Sequence, residues 1–223
     1  MRGGINGFSY TNSLDALNNS YATGFSYFEI DLSFTEDNRL VCLHDWNYSF
    51  ENLFGFKTDR RLNLEEFEQL NTTFGLSVCT LESLIGWLEN HPNSHIITDI
   101  KENNLGALEL LSENIPDFQT RIIPQIYFPE DFSKVQKLGY KQIIWTLYLF
   151  EKNNKNVIDS LKDFSGSFAI TMTKGRAKSS LPKILEDMNI PSYTHTINSP
   201  EEKDVFIQGH ISGVYTDFMG PSQ

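Results

Sequence analysis

Strand-like and helix-like segments alternate along almost the whole of this 223-residue chain, and nothing else in it limits the fold as much. Apolar runs centred near residues 28, 97, 124, 145, 170, 195 and 215 read as strands, seven in all. The first helical pattern opens at Thr11-Asn12-Ser13, carries Leu14, Leu17 and Tyr21 on one face, and stops at Gly24. Further helical patterns cover residues 81–90, 105–113, 129–138, 156–164, 181–188 and 200–208. Strands separated by helices pair in parallel, and a closed eightfold barrel is the nearest common solution. The expected fold is α/β, a TIM-type (β/α)8 barrel lacking its first strand, which would precede Arg2-Gly3-Gly4. Residues 1–223 then form a single barrel domain. Residues 46–80 break the alternation and read as an inserted loop region, with one short helical patch at Leu62-Asn63-Leu64-Glu65-Glu66-Phe67.

The chemistry concentrates early. Glu29 and Asp31 lie one residue apart in the run Tyr27-Phe28-Glu29-Ile30-Asp31-Leu32. On a strand, residues two apart share a face, so both carboxylates leave an otherwise apolar segment together. Two acids on one buried face repel each other and are costly to desolvate unless something cationic lies between them. A hard divalent ion on oxygen ligands is the simplest remedy; a solvated face on an edge strand is the bland alternative. The chain turns at Glu36-Asp37-Asn38, returns through Leu40-Val41-Cys42-Leu43, and delivers the pair His44-Asp45. Asp99-Ile100-Lys101 repeats the two-apart spacing with one acid and one base. Asp99 would complete a three-carboxylate set, and Lys101 would meet a phosphate as a point charge; a strand-end salt bridge explains the same residues. Gln125 and His195 fall at the ends of later strands, where barrels of this kind carry their chemistry, although a core histidine fits His195 equally well.

Composition narrows the partners. The formal charge of −11 argues against nucleic acid held on a broad basic face, while leaving room for a small phosphodiester substrate. The two cysteines, Cys42 and Cys79, offer no disulfide framework or zinc spacing, and Cys42 reads as a small core hydrophobe. No signal-peptide pattern and no membrane-length apolar run is found, while the abrupt start leaves export open. The aromatic residues of 46–80, Trp46, Tyr48, Phe50, Phe54 and Phe56, suit either a pocket cap or a local satellite core.

Taken together, these stretches resemble the glycerophosphodiester phosphodiesterase family, within the superfamily of phosphatidylinositol-specific phospholipase C barrels. The likeness rests on Arg2-Gly3-Gly4, Thr11-Asn12-Ser13-Leu14-Asp15-Ala16, Glu29-x-Asp31, His44-Asp45, Asp99-x-Lys101 and the closing Gly213-Val214-Tyr215-Thr216-Asp217-Phe218. It implies an enzyme that hydrolyses glycerophosphodiesters to an alcohol and glycerol phosphate, by metal-dependent general acid–base catalysis. Glu29, Asp31 and Asp99 become ligands of calcium or magnesium, His44 a catalytic histidine, and Arg2 and Lys101 phosphate contacts. Two departures accompany the likeness. Asp99 stands where many relatives carry Glu, and the family's other catalytic histidine has no counterpart before Arg2. With one histidine, turnover is expected to fall by about two to four orders of magnitude. The alternative is a non-catalytic barrel that binds a phosphate or polyol. Metal-independent phospholipase C chemistry, which sets a basic group where the metal would be, is opposed by the three acids.

Overall fold

A computed structural model describes residues 4, 5 and 7–221. Their contacts gather into two compact units, one running up to Ala107 with residues 220–221, the other covering Leu108–Met219.

The first unit contains α1 (Leu14–Ala22), β1 (Tyr27–Phe34), β2 (Leu40–Cys42), α2 (Tyr48–Phe54), α3 (Leu64–Glu68), α4 (Leu81–Asn90) and β3 (His95–Asp99). Ser13 caps α1 by accepting the Ala16 N–H, which frees the neighbouring Asn12 for another role. Strand β1 is flanked on both sides. It runs antiparallel to β2, with Leu32 opposite Cys42, and parallel to β3, with Glu29 opposite Ile97 and Asp31 opposite Asp99. Phe28, Ile30 and Leu32 are buried along one of its faces, where the Phe28 ring meets Trp87 of α4 edge-on at 5.3 Å. Among the described residues, no strand precedes α1.

Residues 46–80 are more ordered than a loop. Helices α2 and α3 pack Phe50, Leu53, Phe54 and Phe67 against Val41 and Leu43, with Trp46 and Leu62 at the margin. Asn63 and Glu66 form a capping box on α3, and Gly55 ends α2 at φ 79°. The reading of the cysteines is corrected. Cys42 and Cys79 form a disulfide with Cα atoms 5.1 Å apart, and the Cys42 N–H donates to the Cys79 carbonyl at 2.8 Å. The sequence hid this pairing because it depends on residues 46–80 folding back, so that Thr80 bridges Val41 beside β2.

Helix α5 (Asn104–Asn114) carries the chain into the second unit. There follow α6 (Phe118–Arg121), β4 (Ile122–Ile126), α7 (Phe132–Lys137), β5 (Gln142–Thr146) and α8 (Asn154–Ser160). Then come β6 (Ser167–Thr173), α9 (Lys174–Ala177), α10 (Leu181–Asp187), β7 (Ser192–His195), α11 (Pro200–Gln208) and β8 (Gly213–Val214). Each strand from β4 to β8 pairs in parallel with the next, so sheet order follows chain order. That is the strand–helix repeat expected from the sequence.

Candidate active site

The three acids are not a solvated face. Glu29, Asp31 and Asp99 keep only 3%, 2% and 3% of their surface. The parallel register sets Asp31 beside Asp99, and Lys101 follows two residues later. Its Nζ donates to Asp31 Oδ1 at 2.9 Å and lies 3.2 Å from Asp99 Oδ2. The other Asp31 oxygen is also engaged. Asn12, held at φ 43°, donates its Nδ2 to Asp31 Oδ2 and accepts the Asp31 backbone N–H at Oδ1, both at 3.1 Å. Burial pushes the Asp31 carboxyl up, but the charges of Lys101 and His44 and the hydrogen bonds from Lys101 and Asn12 hold it below its usual value. Burial likewise opposes the Lys101 charge, and the two aspartates outweigh it, so the ammonium is stabilised. Sequence reading took Asn12 for part of a helix cap; its link to Asp31 spans nineteen residues and leaves no local signal.

His44 and Asp45 follow β2. His44 Nδ1 lies 2.7 Å from Asp45 Oδ2; a carboxylate can only accept, so Nδ1 carries the proton and Nε2 becomes the atom that exchanges one. The Tyr10 ring stands edge-on to the imidazole at 5.2 Å. Asp45 is fixed in turn. Its Oδ1 accepts the Asn47 and Ser49 N–H groups at 2.9 and 3.2 Å, and Oδ2 accepts the Ser49 hydroxyl at 2.7 Å. Burial raises its pKa, but the bonds from Ser49, His44 and Asn47 dominate and bring it down to about 2.

A cavity of about 300 Å³ brings together His44, Asp45 and Lys101, with Ser33, Trp46, Arg60 and Arg61 also in its wall. The two arginines were not anticipated from the sequence. Arg60 is clamped by Glu66, at 2.5 and 2.8 Å, and by Glu36 at 3.0 Å, while Arg61 pairs with Glu102. They reach the wall because α2 and α3 fold into their own small core, which no charge pattern announces.

The remaining candidates belong to the second unit or to residues that are not described. In the second unit, Gln125 is buried on β4 and accepts from the Thr171 hydroxyl at 3.4 Å. His195 ends β7, its ring edge-on to Tyr148 at 6.0 Å and to Tyr215 at 6.4 Å. Arg2 lies outside the described residues. Among the described residues, no group of three or more His, Cys, Asp or Glu is drawn together closely enough to hold an ion as it stands. The Lys101 ammonium lies 2.9 and 3.2 Å from two of the three proposed ligands, Asp31 and Asp99.

Residues 2–109, which contain all of these first-unit groups and Arg2, match the model of the Glycerophosphoryl diester phosphodiesterase family. That is the family the sequence motifs resemble, and the match covers the N-terminal 108 of 223 residues. Solved structures of glycerophosphodiester phosphodiesterases share its fold. The Thermotoga maritima protein is 20% identical, with a TM-score of 0.72 over 92% of this chain and 88% of that one. A Parabacteroides distasonis glycerophosphoryl diester phosphodiesterase is 14% identical at 0.73, covering 96% and 80%. An Oleispira antarctica phosphodiesterase, solved with the product sn-glycerol-3-phosphate, is 14% identical at 0.73, covering 92% and 87%. No curated protein matches the sequence. The fold is thus the TIM-type α/β barrel of the glycerophosphodiester phosphodiesterases, with no strand before α1 among the described residues.

Proposed function

We propose that this chain is a glycerophosphodiester phosphodiesterase that hydrolyses a small glycerophosphodiester to an alcohol and glycerol phosphate. The observation that carries the reading is an Asp45-oriented His44 sharing a cavity with Lys101. In the reaction a water oxygen forms a bond to phosphorus while one of its protons passes to solvent, the ester bond to the alcohol oxygen breaks, and His44 is reprotonated from solvent before the next turnover. The protonated His44 gives its Nε2 proton to that departing oxygen, and Asp45 holds the ring so that Nε2 is the donor. Lys101 supplies positive charge where the phosphoryl oxygens gain negative charge. The identity of the relative solved with sn-glycerol-3-phosphate supports glycerol phosphate as the product class.

Buried carboxylates are the right chemistry for calcium or magnesium, and Glu29, Asp31 and Asp99 are the residues that would hold such an ion. As arranged, Lys101 and Asn12 each donate to one Asp31 oxygen, so an ion there would compete with the Lys101 ammonium for the same carboxylate. A non-catalytic phosphate-binding role is favoured by one feature: among the residues lining the cavity, His44 is the sole histidine.

Turnover on a panel of glycerophosphodiesters, with and without chelator, separates these readings. Wild type is expected to release glycerol phosphate, and His44→Gln to lose about 10²- to 10⁴-fold in kcat with little change in KM. No turnover, combined with binding of glycerol phosphate that survives H44Q, would establish the binding role instead.

A further inference from the structure

We infer that Lys101 is the resident cation of the buried carboxylate pair, and that a hard divalent ion enters Asp31 and Asp99 only by displacing its ammonium. The geometry is that of a filled site. Nζ lies 2.9 Å from Asp31 Oδ1 and 3.2 Å from Asp99 Oδ2, and Asn12 Nδ2 covers Asp31 Oδ2 at 3.1 Å. Both carboxylates are almost wholly withdrawn from water, whereas the Lys101 side chain keeps 30% of its surface and lines the cavity. The acids are therefore fixed by the backbone register, and the flexible lysine stem is the part free to swing.

Electrostatics make the occupancy exclusive. Two charges at a shared carboxylate pair, one monovalent and one divalent, would repel at close range in a poorly screened site. Lys101 thus has two positions that correspond to two states of the site. In one it neutralises Asp31 and Asp99; in the other it is released toward the cavity, where a phosphate would find it beside His44. The inference concerns cation binding, so a failure to observe turnover leaves it standing.

The experiment is a titration of the full chain with Mg2+ or Ca2+ alone, read by calorimetry and by the shift in Tm. Lys101→Met, which keeps the stem length and removes the charge, is expected to bind the ion at least tenfold more tightly than wild type and to gain more in Tm. Lys101→Arg, which restores a permanent cation, is expected to return binding to the wild-type level. Equal affinities in wild type and K101M, or weaker binding in K101M, would overturn the inference. Should K101M fold poorly, reductive methylation of the ion-free wild type, followed by mass spectrometry, tests the same point. Lys101 is expected to react at least tenfold more slowly than Lys155, whose side chain is 83% exposed. Equal rates would mean that Lys101 is not held on the acids, and the inference fails.

Discussion

Asp45 holds an imidazole and the start of a helix with one carboxylate. Its bonds to the Asn47 and Ser49 N–H groups satisfy donors at the beginning of α2, so it caps that helix from two residues before Asn47. Asp45→Ala is expected to cost about 1 kcal/mol of stability, the usual value of a lost cap. It should also lower kcat well beyond that, because His44 Nδ1 loses its acceptor and the ring its orientation. The pH dependence has a definite sign. Folding lowers the Asp45 pKa from 3.8 to about 2, so its stabilisation is present above pH 4 and is lost as pH falls through 2. Urea unfolding of wild type and Asp45→Asn should show a clear gap at pH 5 that closes near pH 2. A gap independent of pH would show that the carboxylate charge is not what Asn47, Ser49 and His44 respond to. At this scale the sequence revealed the acids and His44-Asp45 through their spacing. It concealed Asn12, Arg60 and Arg61, whose contacts depend on distant chain segments.

Elements that carry their own start and stop signals were readable one by one. Helix α4 runs between the Thr80 cap and His91, and α11 begins with Pro200 after Ser199 and ends before Gly209. The spacing of Phe50, Leu53 and Phe54 is equally helical, yet Gly55 and the polar residues beyond it made the segment look like a loop. What decides the matter is a partner surface, since a helix of seven residues is not stable without packing. The disulfide closes this region at both ends. Cys42 belongs to β2, Cys79 stands beside the cap of α4, and the bond joins them across a sequence separation of 37 residues. In the chain-entropy model a closed loop of that size contributes about 4 kcal/mol. Cys79→Ser is therefore expected to lower the urea midpoint by the corresponding amount, and dithiothreitol should do the same to wild type but not to the variant. A variant unfolding at the wild-type midpoint would mean that the pairing does not hold the region together.

On the scale of the whole molecule, parallel pairing follows from the order of the elements, so the fold class was legible from end to end. The position of a cation was not, because composition reports only a total: the formal charge is −11, while the cavity wall sets Lys101, Arg60 and Arg61 against three acids, Asp45, Asp59 and Glu102. The total and the wall cations oppose each other for an anionic diester. The overall field repels the substrate at distances set by the Debye length, about 30 Å at 0.01 M salt and about 8 Å at 0.15 M. The cavity cations act within contact range, and much of the Arg60 charge is already met by Glu36 and Glu66. Long-range repulsion should therefore govern encounter at low salt and disappear near physiological salt. For the proposed phosphodiesterase, kcat/KM is expected to rise about two- to fivefold between 10 and 150 mM KCl at constant pH, while kcat stays level. The measurement is a set of initial rates on one glycerophosphodiester across that salt range. A fall in kcat/KM would show that Lys101 and Arg61 govern encounter from a distance, as a positive funnel within an acidic surface.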